Sequence, residues 1–167
     1  MPLSNGQVQF SMSAAESVPN PAGGSDTHGA SYSNYWTLSD GTGPALNATQ
    51  GYAKKVGDKQ FVTSTSITNI DLTAFAGGIG GAAINFSLVK QVLIRNLDPT
   101  NSVTVTCNGT NGWTNYVSGT FTLAPYDVRF VECQFAGIVV DATHKIIGLT
   151  AVAGTPTVQI TIVGDGT

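Results

Sequence analysis

Histidine, cysteine and carboxylate side chains supply most protein chemistry, so their spacing is the first thing to weigh. The two histidines each stand beside an aspartate, His28 in Asp26-Thr27-His28-Gly29 and His144 in Asp141-Ala142-Thr143-His144. An aspartate can orient an imidazole for base catalysis, but that pairing needs a nucleophile, and no Ser or Cys sits in a GxSxG-type elbow. No HxH, HxxxH or Cys-His spacing is present to grip a metal. The ten acidic residues are scattered singly. A glycosidase would need two of them to meet across a sugar, and a calcium loop would need several together; spacing points to neither. Asp58, Asp71, Asp98, Asp127 and Asp141 fall at expected turns or strand ends, where aspartate caps local backbone N–H groups. The Gly-rich run Gly77-Gly78-Ile79-Gly80-Gly81 lacks the Lys-Ser/Thr of a phosphate cradle and reads as a turn. Cys107 and Cys133 lie outside any CxxC pair and read as free, mostly buried thiols, with a single bridge between neighbouring strands as the other reading. The expectation is therefore a protein that is not an enzyme, with no cofactor and no metal.

The aromatic residues are the remaining candidates. Trp113 and Tyr116 follow Asn111-Gly112, and Tyr32, Tyr35 and Trp36 cluster near the N-terminus. Exposed aromatics anchor protein interfaces or stack on sugars. These five are the candidate subunit-interface residues, with core packing and sugar stacking as their other readings.

Elements must position those side chains, and composition says which kind. Charged residues make up 10% of the 167, against about 25% in ordinary soluble domains. Thr, Ser, Asn and Gly fill the gap. A charge-poor, hydroxyl-rich surface loses little solvation when another protein covers it. Residues 1–53 contain Glu16, Asp26 and Asp40 and no Lys or Arg, so no basic arm exists to grip phosphate, and direct nucleic-acid binding is disfavoured. No run reaches the ~18 apolar residues of a membrane span, and no signal-peptide pattern opens the chain.

Residues 1–55 hold four of the seven prolines and several Gly- and Ser-rich runs. They read as an extended, irregular arm in which only 7–12 alternates well enough for a strand. An arm bearing Tyr32, Tyr35, Trp36 and Tyr52 needs a surface to lie on, its own domain or a neighbour. From residue 56 to 167 the pattern is β, with turns every 8–12 residues and no sustained helical stripe. Strands are expected at 61–67, 84–88, 92–97, 102–106, 116–123, 128–131, 138–140, 146–151 and 157–163, the last two as a hairpin, with a short helical turn near Leu72–Phe75. This number of short strands gives an all-β, two-sheet antiparallel sandwich, jelly-roll-like, behind the arm.

From about residue 67 onward the chain resembles a group of small tailed-bacteriophage virion proteins. The likeness rests on Asp71-Leu72-Thr73-Ala74-Phe75, then Ile84-Asn85-Phe86 with Val89-Lys90, Ile94-Arg95-Asn96-Leu97 with Ser102-Val103-Thr104-Val105, the Leu123-Ala124-Pro125 turn, and the closing run from Val158 to Gly164. Where that group shows Pro-Gly at the turn, this chain has Pro125-Tyr126. The resemblance implies a β-sandwich subunit of the virion, made in the host bacterial cytoplasm. A capsid decoration (cement) protein that binds the major capsid protein or tail subunits, as a homotrimer, fits best. The alternative is a carbohydrate- or receptor-binding module of a tail fibre or spike, with Trp36, Trp113 and Tyr116 as stacking platforms.

Overall fold

The computed structural model describes residues 6–19, 25–39, 50–52, 55–78, 82–133 and 136–167, with side chains from Gly57 onward. Twelve strands are described: β1 (Gly6–Pro19), β2 (Ser25–Ser39), β3 (Gln50–Tyr52), β4 (Lys55–Val62), β5 (Thr68–Asp71), β6 (Phe86–Asn96), β7 (Val103–Thr106), β8 (Thr120–Leu123), β9 (Val128–Glu132), β10 (Ile138–Val139), β11 (Ile146–Ala151) and β12 (Thr157–Gly166). Among the described residues one 3-10 turn, Leu72–Ala74, stands where the sequence suggested a short helical turn.

β4 to β12 build two antiparallel sheets, β4-β12-β6-β9 with β10 continuing β9's edge, and β5-β11-β7-β8. Count positions from β4, letting β9 and β10 share one. The first strand then pairs with the eighth, the second with the seventh, the third with the sixth and the fourth with the fifth. That nesting is the jelly roll. It explains why the expected hairpin of 146–151 with 157–163 does not form. β11 and β12 are neighbours in the chain but belong to opposite sheets. The connection between them turns at Gly154 (φ 65°) and brings Pro156 to Thr63, the residue after β4, which donates both N–H and Oγ1–H to the Pro156 carbonyl, at 2.9 and 2.8 Å.

Period-2 alternation fills the space between the sheets. On β7, Val103 and Val105 are buried while Thr104 and Thr106 face outward; on β12, Val158, Ile160 and Ile162 alternate with Thr157, Gln159 and Thr161. They join Phe86, Val92, Ile94, Leu149 and Trp113 in one core. Each fully buried aliphatic side chain there contributes roughly 1.5–3 kcal/mol. The two strands expected at 84–88 and 92–97 are one, because β6 runs through Lys90 and Gln91 where its register against β12 slips between Val163 and Gly164. Gly164 sits so close to β6 that a Cβ there would collide with the Leu88 carbonyl oxygen. The strand expected at 61–67 stops at Val62, and the one expected at 116–123 starts only at Thr120.

The N-terminal segment differs from the irregular arm the sequence suggested. β1 and β2 form a long antiparallel ladder, from Gly6 opposite Leu38 to Pro19 opposite Ser25, and β3 adds in parallel to β2. Pro19 is the last residue of β1, a position where proline is tolerated. The Ser, Ala and Gly content of β2 lowered its strand propensity without preventing pairing.

Candidate functional site

Trp113 and Tyr116 come together, stacked at 4.9 Å between ring centroids, with the Phe121 ring edge-on to Tyr116 at 6.3 Å. Both leave the β7–β8 connection, where Asn111 takes a positive φ of 55° and Gly112 bridges to Ile146. The Arg129 guanidinium of β9 lies 4.3 Å from the Phe121 ring centroid and 5.9 Å from that of Tyr116, a cation-π contact that links the two sheets. Trp113 is 0% exposed, and its indole N–H donates to the Val139 carbonyl at 2.8 Å. It is a core residue of its own chain, so it offers no stacking platform to a sugar or a neighbour. Tyr116 is half-buried, and burial pushes its hydroxyl up to about 12 against the opposing pull of Arg129. Tyr32, Tyr35 and Trp36 stand on β2, opposite Met12, Gln9 and Val8; their side chains lie outside the described residues.

The groups suspected of chemistry have structural tasks. Asp141 accepts from Thr143 Oγ1 and N at 2.8 and 2.7 Å and from the His144 backbone N–H at 2.9 Å, and its carboxylate lies 3.1 Å from His144 Nδ1. The bonds from Thr143 lead in holding its carboxyl at about 2. That is a self-capped turn. Partial burial alone would raise the Asp71 carboxyl. Bonds from Lys145 Nζ (2.8 Å) and Thr73 (2.8 Å from N, 2.6 Å from Oγ1) outweigh it and leave the group below its ordinary range. Asp98 is lowered by backbone N–H groups of Asn101 and Thr100. Asp58, expected at a turn, stands within β4 and receives Gln159 Nε2 at 3.0 Å and Thr161 Oγ1 at 2.6 Å from β12. Both cysteines are free; burial pushes the Cys107 thiol up to about 11. His28 is on β2, opposite Glu16, with its side chain outside the described residues. Among the described residues no group of three or more His, Cys, Asp or Glu is placed to hold a metal ion, and no helix is long and apolar enough to cross a membrane.

Two features escaped the sequence. The first is Asn96, fully buried at the end of β6. Its Nδ2 donates to the carbonyls of Asn101 (2.8 Å) and Ala124 (3.0 Å), and its Oδ1 accepts the Asp98 N–H at 3.1 Å. One side chain thus pins the β6–β7 and β8–β9 connections together. The second is the left-handed residue in the turn it holds, a turn the sequence itself marked at Leu123-Ala124-Pro125. The Asp127 N–H donates to the Ala124 carbonyl at 3.0 Å, with Pro125 and Tyr126 between them. Tyr126 has φ 61°, the left-handed conformation that glycine takes most readily at this turn position. The residue is 60% exposed.

Tyr126 overhangs the outer face of the β4-β12-β6-β9 sheet. Cross-strand pairing lines up Gln60, Gln159, Arg95 and Val128 in one row and Asp58, Thr161, Leu93 and Phe130 in the next. Leu93, Arg95, Tyr126, Val128, Gln159 and Thr161 enclose an open cleft of about 370 Å³.

The chain matches no known protein family, no curated protein and no solved structure. Its functional reading therefore rests on its own residues. Among the described residues, the exposed large apolar side chains are Val62, Ile67, Val139 and Val152 at sheet margins and turns, and Tyr126 and Val128 at the mixed polar-apolar cleft.

Proposed function

We propose that this chain is a structural virion protein of a tailed bacteriophage, a capsid decoration subunit that acts by burying its surface against other virion proteins. The observation that carries the reading is the pairing of a charge-poor chain with a jelly roll whose margins expose Val62, Ile67, Val139 and Val152. Isolated exposed valines are ordinary. Here they stand at strand ends and turns on a surface with few charges to desolvate, the condition under which protein contacts form at little electrostatic cost. The carboxylates and His144 support the reading by their engagement in turns and strand clips. The residue likeness to small phage virion proteins points the same way.

In this reading the chain assembles as a homotrimer on a capsid or tail lattice, without direct contact to nucleic acid or membrane. Such a subunit stabilises a particle by binding the assembled shell more tightly than its free subunits. The test is sedimentation of the purified chain, alone and mixed with phage shells lacking it. A trimer that co-sediments with the shells supports the proposal; a chain that stays in the supernatant across the accessible concentration range refutes it. The alternative, a carbohydrate- or receptor-binding module using Trp36, Trp113 and Tyr116, is weakened by the burial of Trp113.

A further inference from the structure

Tyr126 holds a left-handed backbone conformation that disfavours side chains, yet the residue is 60% exposed and so gains little from packing. Strain of this kind, kept without a packing return, marks positions held for a contact outside the chain. What the ring overhangs indicates the contact. The cleft is lined by apolar surfaces, Tyr126, Leu93 and the 56%-exposed Val128, and by planar polar groups, the Arg95 guanidinium and the Gln159 amide. Gln159 is not free to rotate, because its Nε2 donates to Asp58 at 3.0 Å, which turns its Oε1 into a fixed acceptor. Thr161 Oγ1 is likewise committed as a donor to Asp58, leaving its lone pairs to accept. Arg95 has no ion pair among the described residues, so its donors face the cleft uncommitted.

A ligand that fits must offer an apolar face to an aromatic ring and, around it, closely spaced groups that both donate and accept. A pyranose ring has this character: axial C–H bonds on one face and vicinal hydroxyls around its edge. A phosphate or carboxylate ligand fits less well, because Arg95 is the single cation among the residues that line the cleft. A purely apolar segment would strand Arg95 and Gln159. We propose that the cleft beside Tyr126 is a carbohydrate site, with Tyr126 stacking on a pyranose ring and Arg95 and Gln159 bonding its hydroxyls. About 370 Å³ is near the small end of ligand sites and holds one or two rings. The cleft is open on one side, so the affinity expected is about millimolar. This inference does not depend on the virion reading.

The experiment is saturation-transfer NMR on the full chain with the methyl glycosides of glucose, galactose, mannose, rhamnose and N-acetylglucosamine. At least one is expected to receive saturation. Tyr126→Phe keeps the ring and retains the signal. Tyr126→Gly relieves the left-handed strain, so it folds, and it and Arg95→Ala each weaken binding roughly tenfold. Absence of transfer to all five glycosides, or transfer undiminished in Tyr126→Gly, overturns the proposal. So does a Tyr126→Gly variant that loses binding to shells while no glycoside gives a signal, since the cleft would then be a subunit contact.

Discussion

Replacing Asn96 tests whether one buried amide holds the β6–β7 and β8–β9 connections in place. Asn96→Ala removes bonds to the Asn101 and Ala124 carbonyls and to the Asp98 N–H. At roughly 0.5–1.5 kcal/mol net for each of the bonds lost, and with three groups left to find water, the cost is about 3 kcal/mol. That is a large share of the ~5–15 kcal/mol that stabilises a typical domain, and it lowers Tm by roughly 6–12 °C for a chain of this size. Asn96→Asp keeps the shape but reverses the chemistry, since a carboxylate cannot donate to two carbonyls and its charge is buried. Its folded-state pKa must lie above the unfolded value of about 3.9. The carboxyl is therefore tolerated below that value, and stability is lost as pH rises through the folded pKa. Asn96→Asp should be less stable than Asn96→Ala at pH 7, by about 1 kcal/mol or more, and should draw level with it near pH 4. Urea unfolding followed by circular dichroism, each variant compared with the parent at the same pH, measures both effects. The comparison at matched pH cancels the native Asp71, Asp98 and Asp141 titrations. An Asn96→Ala cost below about 1 kcal/mol, or identical pH profiles for the two variants, would refute the clip.

Further expectations follow from the same structure. Trp113→Phe loses the indole bond to Val139 and leaves a gap in the core, costing roughly 1.5–3 kcal/mol in thermal or urea unfolding of the isolated chain; an unchanged stability would contradict its place in the core. Asp141→Ala removes a carboxylate whose pKa is depressed to about 2, so the parent's advantage is complete above pH 3.8 and fades as pH falls through 2; melting curves at pH 7 and pH 2 check the convergence. In the folded chain a thiol reagent at pH 8 should modify Cys133 and spare the buried Cys107, giving one fast-reacting thiol rather than two. Removing residues 1–50 should leave a cooperatively melting β-sandwich that no longer associates properly, because both sandwich sheets are built from β4 onward; a truncated chain that fails to melt cooperatively would make the N-terminal sheet part of the core.

The strands and the sandwich were legible because period-2 alternation of Val, Ile and Phe with Thr reports directly on which face is buried, as at 103–106 and 157–162. Sheet membership was not legible. Turn signals say that two strands are consecutive, whereas the jelly roll sends β11 and β12 to different sheets, a choice set by global packing. Trp113 followed a turn signal and looked exposed, but the chain folds back at Trp113–Tyr116 and drives the indole inward. Asn96 looked like a polar strand residue, since a buried amide is recognisable only once the carbonyls it meets are placed. Tyr126 carried a clue in its position after Pro125, where a glycine would be expected; the φ shows that the turn kept its shape and accepted the strain. The Ser- and Gly-rich stretch at 25–33 read as irregular because propensity counts side chains, while a long antiparallel ladder draws on backbone bonds that every non-proline residue can make.

β12 lies between β4 and β6, and those two strands meet only through it. A ribosome makes β4 and β6 first and β12 more than sixty residues after β6 ends. Until then each of the two earlier strands presents an open edge of backbone N–H and C=O groups, with apolar Val92 and Ile94 uncovered. Folding of this sheet therefore waits until β12 has left the exit tunnel. It belongs to the slow, non-local class that closes in milliseconds to seconds. In that interval the nascent chain is most exposed to pairing with its own copies, and holdase chaperones would find their target there.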